Sequence, residues 1–230
     1  MDSTNKKIER RKLMAFAAPM VTFLILLSSV SGLKKIGGAP WLDAPEYWLY
    51  PAQTIICAAL LLRFWREYHF RPPARLFFTI ALAVIVFVLW ISPQEFFGFN
   101  ARRDGFNPEV FAGQPAWYWT TVLFRFLRLV LVVPLVEEIF WRGFLLRYLI
   151  SEKFDTVPFG AFSWLSFAVV TAAFGFSHSS ADWVAALITG ALYNLVAYRT
   201  KNLASCVIAH AVTNLLLGCW IMQTRQWGFW

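Results

Sequence analysis

Val133-Pro134-Leu135-Val136-Glu137-Glu138-Ile139-Phe140-Trp141-Arg142-Gly143 sets two adjacent carboxylates and an arginine inside a run of aliphatic and aromatic residues. In a helix, Glu138 and Arg142 are i,i+4 neighbours and pair on one face. Glu137 then points about 100° away around the axis and need not share that arginine. Ionisable groups among apolar neighbours are costly unless they are paired or functional, so chemistry is expected here first. The flanking residues continue the helical pattern from Trp117 to Ile150, interrupted only by Pro134. That is too long for one span and a short turn. It predicts a long helix kinked around Pro134 that continues beyond the membrane core.

The rest of the chain agrees with a membrane setting. Of its 230 residues 59% are hydrophobic and 15% charged, whereas a soluble domain is about 45–50% apolar and about 25% charged. The 12 Trp and 23 Phe suit a lipid-facing surface with aromatic belts. The net charge of +8 does not form a stripe that would track nucleic acid. Lys and Arg gather at the ends of apolar runs, where they orient a membrane protein. Cys57, Cys206 and Cys219 show no CxxC spacing and read as small hydrophobes. The C-terminal Gln226-Trp227-Gly228-Phe229-Trp230 is not a prenylation box.

Apolar runs over residues 13–30, 46–64, 76–91, 117–150, 159–177, 182–198 and 203–222 read as spans. The basic start and first run resemble a signal peptide, but further spans follow, and a retained first helix is expected. Residues 93–116 read as the longest loop. The expectation is an all-α, polytopic transmembrane helix bundle of about 7–8 helices, with residues 1–230 as a single membrane domain. Lys and Arg are denser in segments 1–12, 63–75, 142–153 and 199–201 than around Lys34, Lys35, Arg102, Arg103 and Arg225. That bias puts the N-terminus in the cytoplasm and the Glu137–Arg142 stretch toward the inner leaflet.

Polar residues recur in later spans. His178 ends the run Phe174-Gly175-Phe176-Ser177-His178, and His210 and Asn214 lie i,i+4 within the last span. His69 lies in a basic loop and reads as solvated. A lone intramembrane His or Asn is ordinarily interhelical glue. Two carboxylates, an arginine, two histidines and an asparagine on separate apolar helices point to one shared site. A carboxylate desolvated by apolar walls can take a proton from water, a histidine can assist, and imidazole and carboxamide N–H groups suit an oxyanion. The set fits water attack on a peptide carbonyl without a covalent intermediate. Zinc held by two histidines and a glutamate stays open as a minority alternative to a site with no cofactor, although no HExxH is present. Ser177, Ser179 and Ser180 lack a GxSxG turn. Arg125 and Arg128, spaced i,i+3, are expected to snorkel to the interface or pair with another helix, or to capture a substrate carboxylate or lipid headgroup. Asp182 is expected to cap a helix and Asn194 to fasten two.

Glu137-Glu138-x-x-x-Arg142, Phe174-x-x-x-His178 and His210-x-x-x-Asn214, with Tyr198-Arg199-Thr200-Lys201-Asn202-Leu203 before the third, resemble the ordered motifs of the CAAX-protease and bacteriocin-processing (CPBP, or Abi) family. The resemblance covers about residues 130–216 and leaves 1–116 outside. It implies an all-helical, glutamate-dependent, metal-independent intramembrane endopeptidase, with Glu137 and His178 activating water and His210 and Asn214 forming the oxyanion hole. Glu138 and Arg142 would pair and hold the helix. The whole chain is also similar to the bacterial CAAX-protease-related proteins that accompany exosortase-type sorting systems. These resemblances imply a bacterial inner-membrane enzyme with a peptide or protein substrate, lipid-modified or not; with the charge bias, the cut is expected near the cytoplasmic side and close to a substrate's terminus. Two rivals remain from other classes: a non-enzymatic scaffold or immunity or sorting partner, and a proton-coupled transporter. The transporter lacks the repeated broken helices usual for such folds. Substrate sequence and oligomeric state are not legible.

Overall fold

A computed structural model describes residues 3–100, 102 and 105–230, with side chains from Ile8 onward. The side chains of Lys6 and Lys7, and Arg103, which contribute to the orienting charge, lie outside the described residues. The described residues form helices and no strands. They run as α1 (Ser3–Ile36), the short α2 (Pro40–Asp43), α3 (Glu46–Arg63) and α4 (Leu76–Phe96), followed by a long helical run, Pro115–Tyr148. Within that run lie α5 (Pro115–Phe126), α6 (Val133–Glu138) and α7 (Leu146–Tyr148). Then come α8 (Trp164–Phe176), α9 (Trp183–Thr200) and α10 (Leu203–Thr224). Ile8–Ile36, Leu76–Phe96, Pro115–Tyr148, Ser180–Thr200 and Leu203–Thr224 are long and apolar enough to cross a bilayer. The other two stretches read as spans also form helices. α3 carries Gln53 and Thr54, and α8 is apolar but only 13 residues long.

The long run answers Pro134 with widened turns. A proline ring presses on the carbonyl four residues back and offers no N–H, and here that carbonyl is Val130's. Leu127–Val132 is π-helical, and a second π-helical stretch, Ile139–Leu145, starts directly after Glu138 and carries Arg142. Wide turns of this kind recur at functional sites.

Exposure is inverted relative to a soluble protein. Glu138 and Arg142 are 0% exposed and Gln53 1%, whereas Phe77 is 89% and Trp164 76% exposed. Charged groups face protein and rings face outward, as a lipid surround demands.

The chain packs as two compact units, residues 1–69 with 107–136 and residues 70–106 with 137–230. In the first, Gln53 of α3 donates Nε2 to the Phe23 carbonyl of α1 at 2.7 Å, and Tyr68 donates its hydroxyl to the Ala15 carbonyl at 3.0 Å. In the second, Thr213 Oγ1 of α10 donates to the Ala83 carbonyl of α4 at 3.0 Å. Asn202 caps α10 by accepting from the Ser205 N–H at 3.0 Å, and its Nδ2 donates to the Pro72 carbonyl at 2.7 Å.

Candidate active site

The second unit gathers most of the polar residues singled out by sequence. Arg142 Nη1 donates to Glu138 Oε1 at 3.0 Å, the i,i+4 pair expected from spacing. The same oxygen lies 2.9 Å from His210 Nδ1 of α10. One carboxylate oxygen thus joins the first and third motifs. Arg142 Nε donates to Asn194 Oδ1 at 3.1 Å and Nη2 to the Gly190 carbonyl at 3.1 Å, both on α9. Asn194 Nδ2 in turn donates to Thr171 Oγ1 of α8 at 3.1 Å, so Asn194 fastens helices as expected. The Arg142 guanidinium also lies 4.9 Å from the Phe174 ring centre and 5.4 Å from that of Tyr193. Gly190 makes room for this packing, because a Cβ there would sit 3.2 Å from both the Phe174 ring and the Thr171 carbonyl.

The histidines are held alike at one nitrogen. His178, half-buried just past the end of α8, has Nδ1 2.8 Å from the Phe174 carbonyl. A carbonyl only accepts, so Nδ1 carries the proton and Nε2 is left with its lone pair. A carboxylate paired with arginine is likewise an acceptor, which puts a proton on His210 Nδ1. Phe174 stands between the two, its ring 4.8 Å from the His178 ring and 6.5 Å from that of His210. Trp90 of α4 packs its ring 5.5 Å from His178, and Tyr193 lies 5.1 Å from His210. Trp183 Nε1 donates to the His178 carbonyl at 3.1 Å.

Glu137 is 8% exposed, and its Oε2 is buried without a hydrogen-bond partner; so is Glu138 Oε2. Buried carboxylate oxygens without a donor are uncommon. Asn214 is half-buried one turn beyond His210. Among the described residues no group of three or more His, Cys, Asp or Glu is placed to hold a metal ion.

Of the two roles expected for Arg125 and Arg128, pairing with another helix holds and snorkelling does not, and the cap expected of Asp182 changes. Arg125 and Arg128 belong to the first unit, and at 6% and 5% exposure neither snorkels. Arg128 Nε donates to Gln53 Oε1 at 2.8 Å, and both guanidiniums lie over the Tyr50 ring, at 5.2 and 4.4 Å. Asp182 occupies the N-cap position of α9 without a capping bond. Its carboxylate takes Arg102 Nε at 2.8 Å and the Ser179 hydroxyl at 2.6 Å, because a guanidinium is a stronger partner than a backbone N–H. Trp90, Tyr193 and Gln53 were not singled out from sequence. For Gln53 the signal was present, an amide inside an apolar run; an aromatic in a Trp- and Phe-rich chain carries none.

Residues 117–216 match the family described as Rce1-like, type II CAAX prenyl endopeptidase. No curated protein and no solved structure matches the chain. The matched stretch contains all three motifs and supports intramembrane endopeptidase function. With the five apolar helices, it makes this an integral membrane protein.

Proposed function

We propose, on the premise that residues 117–216 carry the Rce1-like type II CAAX prenyl endopeptidase signature, that the chain hydrolyses a peptide bond by directly activated water. The observation that carries this is the shared Glu138 oxygen, 3.0 Å from Arg142 and 2.9 Å from His210. It brings residues far apart in sequence to one buried point and leaves the neighbouring Glu137 outside the pair.

In this reading Glu137 is the base. Its buried Oε2 takes a proton from water, while His178 Nε2, whose lone pair is fixed by the bond from Nδ1 to Phe174, accepts the second hydrogen bond of that water. The water oxygen bonds to the scissile carbon, and the oxyanion accepts from the Asn214 amide and from His210 Nε2–H. His210 donates from both ring nitrogens in this step, Nδ1–H to Glu138 and Nε2–H to the oxyanion. Collapse breaks the C–N bond, and the proton held by Glu137 passes to the departing amine. Glu138 and Arg142 are positioning residues that orient His210. The scheme draws on no cofactor, and its substrate is a peptide or protein segment near a terminus, with or without a lipid modification. The setting is a bacterial inner membrane with a cytoplasmic N-terminus.

Glu137→Gln and His178→Ala are expected to lower cleavage of membrane-inserted peptides by about 10²–10⁴-fold, with the unfolding midpoint in detergent little changed. Products would be read by mass spectrometry. Unaltered turnover in both variants defeats the assignment. A scaffold whose polar groups only fasten helices would instead lose stability.

A further inference from the structure

We propose that Tyr193 is a positioning residue of the reaction centre, whose ring sets the plane of the His210 imidazole and so aims Nε2–H at the oxyanion. That oxyanion rests on the hydrolase reading, whereas the hold on the imidazole stands on the packing alone.

The bond between His210 Nδ1 and Glu138 Oε1, at 2.9 Å, fixes one ring atom. With the α10 backbone it leaves the imidazole one soft motion, a rocking of its plane that swings Nε2. The swing matters, because a hydrogen bond prefers a donor angle above about 150° and weakens steeply below about 120°. Tyr193 of α9 opposes it. The two ring centres are 5.1 Å apart and their planes 36° from parallel, within the separation of about 4.5–7 Å at which aromatic pairs attract. Phe174 meets the same imidazole edge to face, at 6.5 Å and 73°, and packs against Tyr193 at 6.2 Å and 72°. The three rings close a triangle, so His210 cannot rock without displacing both neighbours.

Tyr193 has little freedom of its own. It is 1% exposed, and its hydroxyl reaches Thr213, one turn past His210 on α10. Thr213 Oγ1 lies 3.0 Å from both the Ala209 and the Ala83 carbonyls, which ties this point to α10 and α4. The next residue, Asn194, is bonded to Arg142 on one side and to Thr171 of α8 on the other, so the turn of α9 that carries Tyr193 is pinned as well. The Arg142 guanidinium lies 5.4 Å from the Tyr193 ring centre. One ring thus touches both partners of the shared Glu138 oxygen. Glu138 and Arg142 fix where Nδ1 sits, and Tyr193 fixes how the ring is turned about it. A flat face is what does this, since an aliphatic side chain fills space without imposing a plane.

Two substitutions separate the face from the volume. Tyr193→Phe keeps the ring and gives up Thr213; Tyr193→Leu keeps an apolar filler without the ring. In cleavage of membrane-inserted peptides by the full chain, kcat is expected to fall less than about tenfold in Tyr193→Phe and about 10²-fold in Tyr193→Leu, with KM within about twofold of the parent. The chain has only 3 histidines, so [15N]histidine NMR in bilayers, assigned with His69→Gln and His178→Gln, isolates the His210 ring. One set of ring signals is expected for the parent and Tyr193→Phe, and broadened or doubled signals for Tyr193→Leu. Tyr193→Met, with a chain that adapts to irregular space, takes the place of Tyr193→Leu if the latter does not fold. Parental kcat or parental His210 signals without the ring overturn the proposal, as does an equal loss in Tyr193→Phe or a loss that appears in KM. An inactive parent with the expected spectra counts against the hydrolase reading alone.

Discussion

Two arginines of one helical run are buried in different ways. Arg142 gives its guanidinium to a carboxylate, an amide and a carbonyl. Arg128, about four turns earlier and in the other unit, gives Nε to the Gln53 amide and lies over the rings of Tyr50 and Phe23. Both are held by aromatic faces. The difference is that Arg142 shares its carboxylate with a histidine, so that the charge balance of the pair reaches a ring able to carry a proton. Arg128 rests on an amide and two ring faces. An arginine in lipid thus serves as structure or as part of a reaction centre according to what its partner touches next.

The sharpest way to break this contrast is Glu138→Ala. It strips the carboxylate from both Arg142 and His210, leaving a fully buried cation, for which the expected loss of stability is about 3–5 kcal/mol. Chemical unfolding in detergent measures it. Glu137→Gln, one residue away, is expected to cost almost nothing in the same assay, since Glu137 Oε2 has no bond to lose. Equal losses for the two would remove the distinction between the residue that positions and the residue that reacts.

How far the sequence reaches is visible in the same residues. Glu138 and Arg142 were legible because their relation is local, fixed by helical spacing alone. Tyr193 and Trp90 were not, because nothing in a string rich in aromatics says which rings meet His210 and His178. The long helix was legible from its unbroken pattern, and Pro134 marked the place of disruption. That the disruption would take the form of two π-helical stretches depends on packing on both sides of it. Asp182 shows the remaining gap: its position before α9 reads as a cap, yet Arg102, 80 residues earlier, claims its carboxylate.

On the other side of the contrast, Arg128→Met keeps an unbranched chain against Tyr50 and Phe23 and removes the bond to Gln53. One charge-assisted hydrogen bond is worth about 1.5–3 kcal/mol, so a loss of about 2 kcal/mol is expected, smaller than for Glu138→Ala. Turnover per folded molecule is expected to stay at the parental level. A fall in turnover without a fall in stability would move Arg128 from scaffold to substrate contact.

The smallest effect sharpens the comparison by supplying its neutral baseline. Tyr68, outside the spans of the first unit, donates its hydroxyl to the Ala15 carbonyl at 3.0 Å and is 4% exposed. Tyr68→Phe removes one uncharged bond, and about 1 kcal/mol is expected at neutral pH. Burial, with the charge of Glu67 adding to it, pushes the phenol above its ordinary value of 10.0. The raised folded value means that the neutral form is the one stabilised. That contribution is complete below about pH 10, where the unfolded tyrosine is also neutral, and declines as pH rises and the unfolded chain alone loses its proton. The gap between parent and Tyr68→Phe is therefore expected to narrow above about pH 10, as read by unfolding midpoints across an alkaline series. A gap that widens instead would mean that the phenolate is welcome in this site and that Ala15 is not its partner.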